Sequence, residues 1–195
     1  MKQTKEKGKI IAFCGIDGSG KSTQLRLVRD YLSKKAKVLV AKMSYSPLNQ
    51  MGDSKLFDLI LKGYSGLKII SYYYDLQHKD VFNYDYILCD RHLLCYLAYA
   101  YAYDVPHLDI VRDLLFMVDD PDLTFYFDVP VSVSMDRISK RTFRDRNENF
   151  DTLTKAKQGY EYTMGIFDNV YRIDGTLSVN EEFEEVVDKI RLLKR

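Results

Sequence analysis

The chain alternates short runs of apolar residues with longer segments in which apolar residues recur every three or four positions. The short runs predict buried strands, and the longer segments predict amphipathic helices. The five predicted strands cover residues 9–14, 37–42, 86–89, 123–127 and 170–173. The predicted helices cover residues 21–35, 53–62, 66–80, 92–104, 106–118, 131–140, 151–166 and 179–193. Strands that alternate with helices predict an α/β fold, in which helices flank both faces of a five-stranded parallel sheet.

Composition and charge exclude several broad classes of protein. The 195 residues are 46% hydrophobic and 29% charged, which is typical of a globular chain and excludes a wholly disordered one. A net charge of +1 argues against a general nucleic-acid coat. No apolar run approaches the roughly 20 residues of a membrane helix, and the N-terminal segment lacks the apolar core of a signal peptide. We therefore expect one cytoplasmic domain over residues 1–195, with neither a membrane nor a nucleic acid as partner.

The three cysteines are Cys14, Cys89 and Cys95. They form no CxxC pair and their number is odd, so free thiols in a reducing compartment are the expectation.

Residues 15–22, GIDGSGKS, match the phosphate-loop pattern GxxxxGK[ST]. Glycines let backbone N–H groups approach phosphate oxygens, and the helix that follows adds its positive N-terminal end. A lysine at the seventh position supplies charge to the β- and γ-phosphates, and the Ser22 hydroxyl can ligate Mg²⁺. The residues predicted to bind ATP are Gly15, Asp17, Gly18, Ser19, Gly20, Lys21, Ser22 and Thr23.

The phosphate loop alone leaves the reaction open. ATPases, GTPases and small-molecule kinases all use such a loop. The chain contains no NKxD motif for guanine, which disfavours a GTPase.

Asp90 and Arg91 directly follow the third predicted strand. Ligands of open α/β sheets bind at the carboxyl ends of the strands, so this pair is expected near the phosphate loop. Asp90 is a candidate ligand for Mg²⁺ or its water shell, and Arg91 could bridge the donor and acceptor phosphates. The alternative is a helix start, with Asp90 as the N-cap and Arg91 exposed.

An arginine-rich segment follows the fourth predicted strand and its helix. It contains Arg137, Arg141, Arg144 and Arg146. A lid over about residues 141–150 could close these guanidinium groups over the transferring phosphoryl group and exclude water. A solvated charged loop is the alternative, and contact with a nucleic-acid backbone has weaker support because the cluster is short.

Taken together, these segments resemble the thymidylate kinase family. The segments that carry the resemblance are FCGIDGSGKSTQ (13–24), CDRHLLCYLAY (89–99), PDLTFYFDVP (121–130), RISKRTFRDRNENF (137–150) and IDGT (173–176). The resemblance implies a P-loop nucleoside monophosphate kinase that uses ATP and Mg²⁺ and is commonly a homodimer. Its activity would be transfer of the γ-phosphoryl group of ATP to dTMP or a related nucleoside monophosphate.

The resemblance also implies roles for individual residues. Lys21 and the loop amides would hold the ATP phosphates. Asp17 would lie near the acceptor sugar hydroxyl, and Arg91 would contact the acceptor phosphate. Catalysis would be assigned to Lys21, Arg91, Arg141, Arg144 and Arg146.

The chain departs from the family pattern on the acceptor side. Cys14 replaces the usual Glu, and Cys95 replaces the usual Ser. The TREPGGT segment is not recognisable, and Tyr45 stands near the position of its arginine. The candidate acceptor-binding residues are Asp17, Tyr45, Ser71, Asp75, Arg91 and Tyr99.

Ser71 and Asp75 correspond to the thymine-reading Phe and Arg of the family. An Asp in place of that Arg would prefer a base amino group over the thymine O4 acceptor. Two alternatives therefore stay open: a kinase of the same fold for another nucleotide, nucleoside or phosphorylated metabolite, and a weakly catalytic nucleotide-binding module.

Overall fold

A computed structural model describes residues 8–42, 83–104, 120–143 and 148–193. Three predicted helices, over residues 53–62, 66–80 and 106–118, lie outside these ranges.

Five parallel strands form one sheet in the spatial order β2-β3-β1-β4-β5. The strands are β1 (Lys9–Cys14), β2 (Val38–Lys42), β3 (Tyr86–Asp90), β4 (Leu123–Asp128) and β5 (Val170–Asp174). The central strands read as nearly continuous apolar runs because both of their faces are covered. The predicted five-stranded parallel sheet is confirmed.

The helices in the described residues follow the strands along the chain. They are α1 (Lys21–Leu32), α2 (Leu93–Ala102), α3 (Val131–Ser139), α4 (Phe150–Thr163) and α5 (Val179–Leu192). The predicted helix over 151–166 stops earlier, because Met164–Ile166 continue as a single 3₁₀ turn. The capping box of α5, in which Ser178 and Glu181 bond each other's backbone, starts that helix where the pattern predicted.

Two apolar layers cover the sheet, one on each face. On one face, Ala12 and Cys14 of β1 pack with residues of α2 and α4. On the other face, Ile11 and Phe13 pack with residues of α1 and α5. Successive side chains of a strand point to opposite faces, so this alternation explains why β1 is buried on both sides. Among the described residues, no helix combines the length and apolar character needed to cross a membrane.

The parallel register brings the carboxyl ends of the strands to one edge. Asp90 pairs with Phe13 of β1, and Asp128 pairs with Asp174. Three strands therefore extend one residue further than the apolar runs predict, because each terminal Asp still takes part in the backbone ladder. This edge is where the phosphate loop, Asp90 and Arg91 lie together.

A candidate phosphoryl-transfer site at the strand ends

The turn from β1 into α1 has a backbone that requires glycine at two positions. Gly15 and Gly18 have φ values of 148° and 81°. A Cβ atom on Gly15 would lie 2.7 Å from the Phe127 carbonyl oxygen, and one on Gly18 would lie 2.7 Å from the Ser134 carbonyl oxygen. Any larger residue would be strained in conformation and would clash with backbone. Glycine at these two positions thus lets the loop pack closely on β4 and α3.

The N-terminus of α1 lies at the end of this loop. Its N-cap is Gly20, with φ 97°, and no side chain caps the helix. The first N–H groups of a helix have no partner within the helix, and its dipole favours negative charge at this end. The loop and helix start are therefore suited to a phosphate group.

The Lys21 ammonium is folded into this loop. Its side chain is 8% exposed, and Nζ donates to the Ile16 carbonyl at 3.3 Å and lies 3.5 Å from Asp17 Oδ1. Burial and the nearby Arg91 guanidinium lower the pKa of Lys21, while Asp17 and Asp90 oppose that shift. The cation thus lies among the groups that the sequence predicts to bind phosphate.

Asp17 is the centre of the charge cluster. Its Oδ1 accepts from Arg91 Nη2, and its Oδ2 accepts from the Tyr99 hydroxyl at 3.1 Å. Burial opposes ionisation of Asp17, but the Arg91 guanidinium and the Lys21 ammonium outweigh it and hold its pKa well below the usual range. The carboxylate therefore stays ionised while it holds two cations and a phenol at one place.

Arg91 follows β3 in an unusual conformation. Its φ is 73°, a left-handed value that a non-glycine residue rarely adopts, and its N–H donates to the Phe13 carbonyl at 3.0 Å. The guanidinium donates to the Gly15 carbonyl at 3.4 Å and lies 5.0 Å from the centre of the Tyr99 ring. Backbone strain of this kind is common where a side chain must be aimed at a site.

The alternative of a helix start at Asp90 is wrong. The N-cap of α2 is His92, while Asp90 remains the last residue of β3 and Arg91 is mostly buried. Asp90 is half-buried and contributes to the electrostatic environment of Lys21. Ser22, the other predicted metal ligand, is exposed in the first turn of α1.

The described ranges contain no group of three or more acidic, His or Cys side chains that could hold a metal by themselves. Ser22 and Asp90 instead offer the hard oxygen donors that suit Mg²⁺, which usually keeps several waters and binds substrate phosphates. The residues present therefore fit a magnesium ion that is bound together with a nucleotide.

The structure describes part of the predicted arginine lid. Arg137 on α3 donates to the Gly175 carbonyl at 2.9 Å and to the Gly18 carbonyl at 3.4 Å, which places it against the phosphate loop. Arg141 follows α3 and pairs with Glu148 at 2.7 Å. Arg144 and Arg146 lie outside the described residues.

Three predicted acceptor residues, Tyr45, Ser71 and Asp75, also lie outside the described residues. The structure brings together the other three, Asp17, Arg91 and Tyr99.

Contacts from distant segments that the sequence patterns did not reveal hold the loop in place. The Ser134 hydroxyl donates to the Asp17 carbonyl, and Tyr160 bonds Gly15. Gln24 donates to Glu182 at 2.9 Å and to the Val179 carbonyl at 2.9 Å, joining α1 to α5. Gln24 lies in the motif segment 13–24, but a hydroxyl or amide that bonds a distant residue leaves no periodic pattern in a sequence.

The cysteines are buried free thiols. Cys14 and Cys95, which depart from the family pattern, lie in the same buried cluster, and each affects the pKa of the other. Burial raises the pKa of Cys14. Burial opposes ionisation of Cys95, but the Cys14 thiol and the Arg91 guanidinium outweigh it and lower the pKa of Cys95.

Comparison with known proteins supports the resemblance inferred from the motifs. The family model described as Thymidylate kinase matches residues 71–190. A thymidylate kinase of Thermosipho africanus is 31% identical over 91% of this chain and 94% of the relative. A thymidylate kinase of Kosmotoga olearia is 29% identical over 94% and 95%, and a probable thymidylate kinase of Methanococcus aeolicus is 25% identical over 93% and 95%. The chain belongs to the thymidylate kinase family, whose members are nucleoside monophosphate kinases.

Proposed function

We propose that this chain transfers the γ-phosphoryl group of ATP to the 5′-phosphate of dTMP and forms ADP and dTDP. The observation that carries the proposal is the placement of the Lys21 ammonium and the Arg91 guanidinium beside one carboxylate oxygen, Asp17 Oδ1. One cation belongs to a phosphate loop, and the other follows a neighbouring strand. Two cations close together at the strand ends are what a transfer between two phosphorylated substrates requires.

The donor phosphates would bind in the loop from Gly15 to Gly20. The loop backbone and the uncapped start of α1 would receive the phosphate oxygens, and Lys21 would lie against the β- and γ-phosphates. Ser22 and Asp90 would hold Mg²⁺ through the hydroxyl and a water shell. When bound, Mg²⁺ would supply positive charge that neutralises the phosphates of the nucleotide.

The acceptor would lie on the Arg91 side. Arg91 can present two N–H donors to its phosphate, and Asp17 with Tyr99 would face the sugar. An oxygen of the acceptor phosphate bonds to the γ-phosphorus while the bond to the bridging oxygen breaks, and that electron pair leaves with ADP. The acceptor phosphate is already largely ionised near pH 7, so the reaction needs positioning and charge rather than a strong base.

The remaining arginines would form a lid over the site. Arg141, Arg144 and Arg146 would close over the transferred group, and Arg141 would exchange Glu148 for a phosphate oxygen.

We further propose that the enzyme acts in the cytoplasm as a homodimer, as the family resemblance implies. Light scattering on the purified chain tests the dimer, since a monomer at micromolar concentration would contradict it.

A panel of acceptors tests the function. Purified protein with ATP and Mg²⁺ is assayed for ADP formation against dTMP, dUMP, UMP, CMP, AMP, GMP and thymidine, with Lys21→Ala as the control. We expect dTMP to have the highest kcat/KM and Lys21→Ala to be inactive. A different preferred acceptor would support the same fold acting on another substrate. ATP binding without transfer to any acceptor would support a nucleotide-binding module, which the paired cations disfavour.

A further inference from the structure

The Tyr160 hydroxyl bonds both backbone groups of one residue in the phosphate loop. It accepts from the Gly15 N–H at 3.2 Å and donates to the Gly15 carbonyl at 3.1 Å. Tyr160 is fully buried on α4, and Gly15 is the first residue after β1. The backbone of Gly15 has turned away from the sheet with φ 148°. The hydroxyl therefore supplies the partners that a strand neighbour would otherwise supply.

The ring that carries this hydroxyl is held on several sides. It stacks on Tyr126 of β4 with 4.8 Å between ring centres, and it meets the Tyr99 ring edge-on at 6.3 Å. The preceding residue, Gly159, packs so closely on α2 that a Cβ atom there would lie 2.3 Å from the Ala98 carbonyl oxygen. The packing of α4 on α2 and β4 thus determines where the hydroxyl can lie.

The Gly15 carbonyl connects the two halves of the proposed site. It accepts from Arg91 Nη1 at 3.4 Å as well as from Tyr160. One oxygen atom is therefore shared by the side chain proposed to grip the acceptor and by the hydroxyl that anchors the donor loop. Burial raises the pKa of Tyr160, so its hydroxyl stays protonated and can donate.

We propose that Tyr160 is a positioning residue for phosphoryl transfer, which fixes the entry of the phosphate loop through the backbone of Gly15. This inference rests on the proposed function, because it assigns the loop to the donor nucleotide. Tyr160 lies on the helix that follows the arginine-rich segment, 145 positions away from Gly15 along the chain.

Tyr160→Phe tests this role because it removes the hydroxyl and keeps the ring. The matched control is Tyr171→Phe, which removes a hydroxyl bonded to Glu185 at 2.8 Å between β5 and α5. The first readout is the Kd of a non-hydrolysable ATP analogue by calorimetry, which does not depend on the identity of the acceptor. The second is the pair of kcat/KM values for ATP and for dTMP, together with the melting temperature.

We expect Tyr160→Phe to raise the Kd of the analogue and lower kcat/KM for ATP, each by about tenfold, while KM for dTMP stays within about twofold. Tyr171→Phe should leave all of these values within about twofold of wild type. A lower melting temperature with unchanged ATP parameters would overturn the proposal, because the hydroxyl would then only stabilise the fold. Equal losses toward both substrates would also overturn it, because they indicate general distortion of the site.

Amide exchange in the wild-type protein is a second test that needs no variant. The Gly15 N–H should be protected without nucleotide, because Tyr160 already accepts it, whereas the Lys21 and Ser22 amides should gain protection only with the analogue. Fast exchange at Gly15 in the free protein would contradict the proposed anchor. Absence of dTMP turnover in the wild type would instead contradict the proposed function and leave the analogue measurement interpretable.

Discussion

The Arg91 guanidinium is ion-paired with the Asp17 carboxylate, which also accepts the Tyr99 hydroxyl and lies 3.5 Å from the Lys21 ammonium. One carboxylate thus balances two cations that we assign to different substrates. Without this carboxylate, the two cations would repel each other in a mostly buried cluster. The repulsion would lower the protonated fraction of Lys21. Asp17 is therefore central to both the stability and the chemistry of this site.

Asp17→Asn should reduce stability in a pH-dependent manner. The folded pKa of Asp17 lies below its unfolded value, so its contribution is complete above about pH 4 and is lost as pH falls through the folded pKa. We expect the free energy of unfolding of Asp17→Asn to be about 1–2 kcal/mol below that of the wild type at pH 7. This difference should shrink steadily below about pH 4. Urea unfolding of both proteins at pH 7, 4 and 3 measures this. A difference that does not change with pH would contradict the ion-pair explanation.

Arg91→Ala should lower turnover far more than ATP binding. Loss of a group that stabilises developing charge typically lowers kcat by about 10²–10³-fold. The Kd of an ATP analogue should change by less than about threefold, because Arg91 is assigned to the acceptor. Arg91→Lys should recover little of the lost turnover, since a point charge cannot make a bidentate contact. Steady-state kinetics with analogue calorimetry distinguish these outcomes, and equal losses in kcat and affinity would contradict the assignment.

The left-handed backbone of Arg91 gives an independent prediction. Glycine adopts φ 73° without strain, whereas alanine does not. We expect Arg91→Gly to be about 1 kcal/mol more stable than Arg91→Ala, while both variants lose turnover to a similar extent. If thermal or urea unfolding finds the alanine variant equal or more stable, the strained conformation is not present in solution.

Cys95 should make the stability depend on pH near neutrality. Its folded pKa lies below the unfolded value of about 8.5, so its stabilising contribution is full above about pH 8.5 and is lost as pH falls through the lowered folded pKa. Wild-type stability should therefore rise as the pH increases toward about 8.5. Cys95→Ser should remove that rise in urea unfolding under reducing conditions. The same rise in the serine variant would assign it to another group.

Gly18→Ala should damage the phosphate loop, and Gly165→Ala provides the matched control. Gly18 has φ 81° and a Cβ there would lie 2.7 Å from the Ser134 carbonyl oxygen, whereas nothing lies within 4 Å of a Cβ on Gly165. We expect Gly18→Ala to lose about 1–3 kcal/mol of stability and at least about tenfold in kcat/KM for ATP. Gly165→Ala should stay within about 0.5 kcal/mol. Equal behaviour of the two variants in unfolding and kinetics would contradict the loop geometry.

The sequence predicts those parts of the fold and site that depend on neighbouring residues. The apolar runs identify all five strands, and the motif at 15–22 identifies the turn from β1 into α1. Asp90 and Arg91 are found because they directly follow the apolar run 86–89, although Asp90 itself ends β3. The bonds from Tyr160 to Gly15 and from Ser134 to Asp17 join segments more than 100 positions apart, so no local pattern reveals them. The left-handed φ of Arg91 is likewise a consequence of tertiary packing, since arginine has no intrinsic preference for it.

The central claim is that Lys21 and Arg91 together promote transfer of the γ-phosphoryl group from ATP to dTMP. The most direct test incubates wild type, Lys21→Ala and Arg91→Ala with γ-labelled ATP, Mg²⁺ and dTMP, and separates the labelled products. We expect labelled dTDP from the wild type, none above background from Lys21→Ala, and a rate lowered by about 10²–10³-fold from Arg91→Ala. Labelled dTDP formed at the wild-type rate by either variant, or no labelled dTDP from the wild type, would contradict it.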